Sequence, residues 1–159
     1  MTLWQPWASL VVAGVKRFET RSWATSYRGP LAIHAAKLSA HDLVKRIGDD
    51  AYCELADIVS QNDLPSSRIP NLPRGVVLGT VELVDCHHIL HWDGDGPSQR
   101  RFDRRARDGG PQLVDVPDAE LALGDWSHWR YAWQLADPVA FTEPVPVRGS
   151  QGLWEWAAS

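Results

Sequence analysis

The segment at residues 14–21 reads GVKRFETR and directly follows the apolar run LVVA. Because side chains on a β-strand alternate between its two faces, Glu19 and Arg21 share one face with Arg17. An acid between two bases on one face of a strand has two explanations. The face is exposed to solvent, or it lines a polar cavity. The choice between them decides what this sequence predicts about function.

The residues around this strand predict a helix before it and a second strand after it. Pro6 suits the first turn of a helix and Gly14 suits the position just past its end, so we predict a helix over 6–13. After a Gly-Pro turn, the segment LAIHA predicts a strand with His34 near its end.

The rest of the chain predicts further helices and strands at irregular spacing. Residues 39–62 predict one or two helices that begin at the N-cap Ser39. The segment GVVLGTVELVDCHHI predicts a long strand, with Gly79 at a bulge. The segment WRYAWQLADPVAF, at 129–141, alternates as a strand does. Together these elements favour an α+β fold, a small β-barrel with flanking helices, over a doubly wound sheet.

The length of 159 residues predicts a single domain over 1–159, because such a chain can bury one core. The segment at 92–112 is rich in Gly, Asp and Arg and has almost no apolar periodicity. We therefore expect a mobile excursion there. Its five arginines either grip an RNA backbone or lie on a solvated loop.

Composition narrows the class of protein. The chain is 44% hydrophobic and 23% charged, which is ordinary for a globular protein. Its apolar runs are too short for a membrane span, and its first residues do not resemble a secretory signal. Cys53 and Cys86 do not make a disulfide framework, so we expect a cytoplasmic protein.

Charge and tryptophan are unevenly distributed. Residues 1–37 hold five basic residues and one acidic residue, a balance of +4, although the whole chain has a net charge of −4. A local basic site on an otherwise acidic protein favours a small anionic ligand, a nucleotide or one short nucleic-acid strand over a long duplex. The chain also has nine tryptophans, where about two would be ordinary. Each one either packs in the core or stacks on a base.

Five segments in order resemble the ASCH domain of the PUA-like superfamily: QPWASLVVAGVKRFETRSW, YRGPLAIHAAK, GVVLGTVELVDC, RYAWQLADPVAF and VRGSQGLWEW. The family signature, Gly-x-Lys-x-x-Glu-x-Arg, is matched by Gly14, Lys16, Glu19 and Arg21. The resemblance implies a β-barrel with a cleft beside the first helix, in a superfamily that mostly binds RNA. It favours the polar cavity as the explanation of the charged strand.

The expected ligand is RNA, a nucleotide or a modified nucleoside. Arg21 and Lys16 would hold a phosphate or a base carbonyl, and Glu19 would accept from a base or orient Arg21. The other candidate binding residues flank this signature in the predicted elements: Trp7, Ser9, His34, Lys37, Arg130 and Tyr131. An ion-pair network that only closes one end of the barrel is the structural alternative.

Two other functions stay open. Some ASCH-like proteins are similar to an amidohydrolase that acts on N4-acetylcytidine, and others are reported to cut RNA. In such an enzyme Lys16 and Glu19 would be catalytic. In the amidohydrolase pattern, however, Thr stands at the position of Glu19. The pattern also has a Glu further along the chain, for which Glu82 and Glu120 are candidates by chain order alone. The third function is a protein-interaction adaptor in which tryptophans form the partner surface.

Metal and cofactor chemistry has little support. The segment DCHHILH offers Cys86, His87, His88 and His91 as ligand types, but adjacent strand residues point apart, and we expect no metal. The same geometry argues against Cys86 as a nucleophile activated by His87. The sequence has no phosphate-binding loop, dinucleotide-binding turn or nucleophile elbow, so we expect no cofactor.

Overall fold

The computed structural model describes residues 1–92, 99–105 and 111–156. Its strands are β1 (Thr2–Leu3), β2 (Phe18–Arg21), β3 (Gly29–Ala35), β4 (Val76–Trp92), β5 (Gln99–Arg105), β6 (Pro111–Asp115) and β7 (Tyr131–Pro146). Its α-helices are α1 (Trp7–Val12), α2 (Ala40–Ile47), α3 (Asp49–Gln61) and α4 (Asp118–Leu121). A 3-10 helix covers Ile69–Asn71.

The strands form a mixed sheet. Hydrogen-bonded neighbours follow the order β1-β3-β4-β5-β6, and β7 pairs with both β2 and β4. β1 and β3 run parallel, with Thr2 beside His34. β2 and β7 run antiparallel. β5 runs antiparallel to both β4 and β6. The predicted α+β class is confirmed. None of the helices among the described residues is long and apolar enough to cross a lipid bilayer.

Two compact units divide the chain. The first comprises Met1–Lys16, Pro30–Glu82 and Ala136–Ser159, and the second comprises Arg17–Gly29 and Leu83–Leu135, the undescribed residues aside. Each unit is built from segments that are distant in the sequence.

In the first unit, the helix predicted over 6–13 is confirmed within one residue at each end. Pro6 is the N-cap of α1, and Gly14 follows the helix with a φ of 75°. Five of the six α1 residues are buried, because the helix presents Leu10 and its neighbours to the core. Apolar residues of β3 and β4 complete this core: Leu31, Ile33, Val77, Leu78 and Val81.

The helical segment predicted after Ser39 forms two helices. The Ser39 Oγ accepts a hydrogen bond from the Asp42 backbone N–H at 3.1 Å, so the predicted N-cap is confirmed. Gly48, with a φ of 85°, separates α2 from α3. Leu43 of α2 and Leu55 of α3 are buried and anchor the two helices.

In the second unit, β2 pairs with the first part of β7 over a small apolar core. Ile89, Val116, Trp126 and Ala132 are buried together, and Phe18 of β2 packs against them. The edge of the Phe18 ring meets Trp126 with the ring centroids 6.0 Å apart. This packing fixes one face of β2.

β5 and β6 lie inside the segment at 92–112 and just after it, where the sequence predicts an excursion. β5 pairs with β4 and with β6 through backbone hydrogen bonds, which do not require an apolar pattern. Residues 93–98 and 106–110 of the segment lie outside the described residues, and with them part of the arginine run.

Candidate functional site

Glu19 and Arg21 form an ion pair on one face of β2. The Arg21 Nε lies 3.1 Å from the Glu19 Oε1, and the side chains are 27% and 11% exposed. A carboxylate this buried does not belong to a solvated charged face, so exposure to solvent does not explain Glu19. Arg17, which the two-residue alternation places on the same face, is exposed.

Aromatic residues of β7 lie directly opposite this pair. Glu19 pairs with Trp133, and Arg21 pairs with Tyr131. Directly opposed residues of an antiparallel pair point to the same face, so the two aromatic side chains lie beside the ion pair. Trp133 is fully buried, and its Nε1 donates to the Trp23 carbonyl at 3.3 Å. The Trp23 ring meets it edge-on with a centroid distance of 4.6 Å.

Arg130, a predicted ligand contact, interacts with β2 and with a neighbouring loop. Its Nη2 lies 3.5 Å from the Thr20 carbonyl oxygen, and its Nε lies 3.3 Å from the Asp125 Oδ2. The Asp125 backbone N–H donates to the Thr20 Oγ1 at 3.0 Å. These contacts tie the backbone of β2 in place, so Arg130 stabilises the strand that carries the ion pair.

Glu120, a candidate by chain order for the later Glu of the amidohydrolase pattern, has a structural role. It is buried, and its Oε1 accepts a hydrogen bond from the Arg17 backbone N–H. Its backbone carbonyl accepts from the Trp126 Nε1 at 2.8 Å. The carboxylate therefore holds the start of β2. Glu82, the other candidate, is half-buried on β4 in the first unit.

The DCHH segment of β4 is held by partners within the second unit. Partial burial acts to raise the pKa of Asp85, but hydrogen bonds from the Cys86 N–H and from Arg28 hold that pKa below its usual value. Burial raises the pKa of the Cys86 thiol, which disfavours the thiolate that a nucleophile needs. The His87 Nε2 lies 2.9 Å from the Gln134 Oε1. Within the described part of the chain, no group of three metal-binding side chains occurs.

The predicted site residues are divided between the two units. Glu19, Arg21, Arg130 and Tyr131 lie in the second, and the first contains Lys16, Trp7, Ser9, His34 and Lys37. Lys16 is 1% exposed and Ser9 is buried, while Lys37 is exposed. The Ser9 backbone N–H donates to the Gln5 Oε1, and the Ser9 Oγ has no hydrogen-bond partner among the described residues. Trp7 is half-buried on α1.

His34 lies buried at the end of β3 against the C-terminal segment. Its Nε2 lies 3.1 Å from the Val147 carbonyl oxygen, and the edge of its ring meets Trp154 with a centroid distance of 5.9 Å. Its Nδ1 has no hydrogen-bond partner in the part of the chain that the structure describes. Burial lowers the pKa of His34 below its usual 6.5. Nearby positive charge at the N-terminus and Lys37 acts in the same direction.

This lowered pKa predicts that acid destabilises the domain. Below pH 6.5 the unfolded chain binds a proton at this position more readily than the folded chain, so stability falls as the pH drops from 6.5 through the folded pKa. Urea unfolding at a series of pH values should show this loss. His34→Gln should flatten the profile in that window, whereas His41→Gln, at an exposed position of α2, should leave it unchanged. Equal profiles for the wild type and His34→Gln would contradict the prediction.

Aromatic rings cluster around Trp129, a grouping that the sequence patterns did not predict. Trp129 is 71% exposed, and the rings of His88 and His128 lie 5.4 and 4.4 Å from its ring. The His88 ring also lies 5.2 Å from Tyr131, with a 31° tilt. The run SHWRY at 127–131, in which aromatic residues alternate with an arginine, is the sequence signal from which this cluster could have been predicted.

The fold and the buried acid–arginine pair define a small α+β domain whose charged signature follows its first helix. Residues 1–144 match the ASCH domain family, and the chain belongs to that family. Over 157 residues it is 39% identical to Activating signal cointegrator 1 of Homo sapiens and 38% identical to that of Mus musculus. The match covers 98% of this chain but 22% of each relative, so the chain spans about a fifth of their length.

Proposed function

We propose that this ASCH domain binds RNA, as short single strands or nucleotides, through the face of β2 that carries Glu19 and Arg21. The ion pair between buried Glu19 and half-buried Arg21 is the observation that supports this proposal. A carboxylate that fixes one side of a guanidinium holds the remaining donors in a defined direction.

The chemistry of this pair suits a nucleotide. Arg21 keeps 27% of its side chain in contact with solvent, and its planar guanidinium matches the geometry of a phosphate or a base edge. Glu19 is an acceptor for an exocyclic amine of a base. Tyr131, directly across from Arg21, adds an aromatic ring on which a base can stack.

The distribution of charge points to a short ligand. The balance of +4 over residues 1–37 stands against an overall charge of −4. An acidic body repels the distant phosphates of a long duplex, while a local cation attracts one or two phosphates. Membership of the ASCH family also supports RNA, and the PUA-like barrel that the family implies is part of this proposal.

Arg21→Ala is expected to weaken RNA binding by about tenfold to a hundredfold, because a charge-assisted hydrogen bond contributes roughly 1.5–3 kcal/mol. Arg21→Lys should recover only part of the loss, because an ammonium cannot bind bidentately. Fluorescence anisotropy with a labelled hexauridylate at 50 and 200 mM salt measures both effects.

Arg46→Ala is the matched control, since it removes the same charge from an exposed position of α2. Equal affinities of Arg21→Ala and Arg46→Ala would exclude β2 as the binding face. A salt dependence that is unchanged in Arg21→Ala would show that Arg21 contacts no phosphate.

A hydrolase acting on RNA or on a modified nucleoside is a second candidate, and the burial of Lys16 favours it. Lys16 is 1% exposed, and burial of a lysine is one of the conditions that favour its neutral, basic form. Incubation with RNA and with N4-acetylcytidine, followed by chromatography, tests for turnover. Lys16→Met keeps the apolar stem, so product from the wild type and none from this variant would support the enzyme. Absence of product from the wild type would exclude it for these substrates.

A further inference from the structure

The proposed function leaves one aromatic cluster unexplained, in which Trp129 and His128 are exposed and His88 and Tyr131 are half-buried. Trp129 precedes β7, and Tyr131, the first residue of β7, lies opposite Arg21. The cluster therefore adjoins the face that carries the Glu19–Arg21 pair.

The backbone holds Trp129 in an unusual position. Its φ is 69°, in the left-handed region that bulky residues seldom adopt. A large apolar ring held there gains little from burial, because 71% of its surface stays exposed. Backbone conformations of this kind persist where surrounding contacts enforce them, and they are concentrated at ligand sites.

His88 contacts both other large rings of the cluster. Its centroid lies 5.4 Å from that of Trp129 and 5.2 Å from that of Tyr131, with tilts of 43° and 31°. His128 meets Trp129 at 82°, so these two rings do not stack in parallel. Trp129 stays 71% exposed, which leaves surface of the indole for a further ring.

We propose that this aromatic cluster is a stacking platform for an unpaired base, and that it extends the RNA site by one nucleotide beyond Arg21. The inference rests on the proposed function and adds that the ligand is a single strand of at least two nucleotides. Directly opposed residues of paired strands have Cβ atoms about 5 Å apart, so Tyr131 bridges the platform and Arg21. When a base stacks on Trp129, the phosphate next to it in the strand would lie near the Arg21 guanidinium.

The chemistry of the surrounding side chains favours RNA over a protein partner as the occupant. A cation adjoins the cluster, because Arg21 faces Tyr131 across the paired strands. Aromatic rings beside an arginine are typical of single-strand binding sites, where bases stack and phosphates pair with cations. Because every base has an aromatic face, such a platform tolerates different sequences.

The test compares two hexamers of equal charge, a hexauridylate and a ribose-phosphate hexamer without bases. Trp129→Ala should weaken binding of the hexauridylate roughly tenfold or more and leave binding of the abasic hexamer unchanged. Trp129→Phe should stay within about threefold of the wild type, because the phenyl ring still stacks. Arg21→Ala should weaken both hexamers, since its partner is the phosphate. Trp4→Ala, which removes an exposed tryptophan from the first unit, is the control.

The outcomes separate the two proposals. If Arg21→Ala weakens binding but Trp129→Ala does not, the platform is wrong and the proposed function stands. Equal losses of both hexamers in Trp129→Ala would also overturn stacking. If the wild type binds neither hexamer at 50 mM salt, both proposals are wrong, and the cluster becomes a candidate surface for a protein partner.

Discussion

Trp133→Ala is expected to lower the free energy of unfolding by about 4 kcal/mol, because truncating a fully buried tryptophan removes its packing and leaves a large cavity. Trp133 lies opposite Glu19 and donates from its Nε1 to the Trp23 carbonyl. The substitution therefore removes both the packing beside the ion pair and a hydrogen bond that positions the segment after β2. The proposed RNA binding should be lost together with stability.

Urea unfolding followed by circular dichroism measures this loss without depending on tryptophan fluorescence. Trp129→Ala is the matched control, because the same residue type at a 71% exposed position should change stability by less than about 0.5 kcal/mol. Trp133→Phe should cost less than the alanine variant, since it keeps a ring in the site and loses the N–H donor. Equal losses at positions 129 and 133 would contradict the packing described for Trp133.

Gly79→Ala is expected to cost about 3 kcal/mol, because the structure leaves no room for a methyl group. A Cβ at this position would overlap the Val139 carbonyl oxygen and lie 3.1 Å from the Ala140 Cα. Both atoms belong to the backbone of β7, so a side-chain rotation cannot relieve the contact. Val12 of α1 would lie 2.9 Å away on another side.

Gly48→Ala separates this close approach from ordinary backbone strain. Gly48 has a φ of 85° and no heavy atom within 4 Å of an added Cβ, so alanine there should cost about 1 kcal/mol through its conformation alone. Thermal or urea unfolding of the two variants gives the comparison. A cost at Gly79 no larger than that at Gly48 would show that β4 and β7 do not approach as closely as described.

Local signals in the sequence predicted the elements that local chemistry determines. Pro6 and Gly14 marked α1, and Ser39 marked α2, because caps and terminal glycines act within a few residues. The α+β class followed from the same reading. Alternation along β2 identified a charged face but not its burial. Glu19 and Thr20 lie on opposite faces and are both buried, since β2 is covered on both sides.

What the sequence left undetermined depends on long-range contacts. The hydrogen bond from the Arg17 N–H to Glu120 joins residues 103 positions apart, which no local pattern encodes. β5 and β6 are paired through backbone groups, so a segment with little apolar periodicity still forms strands. Composition likewise does not tell the nine tryptophans apart. Only tertiary packing distinguishes buried Trp133 from exposed Trp129.

The threading of the chain through its two units has a consequence for synthesis on the ribosome. The first unit takes its final segment from Ala136 onward, after the whole of the second unit has been made. A nascent chain that has not passed that point lacks part of the β7 strand against which Gly79 packs. The N-terminal helix and strands therefore stay incompletely covered until the segment from Ala136 onward has left the ribosome, and chaperone contact is expected in that interval.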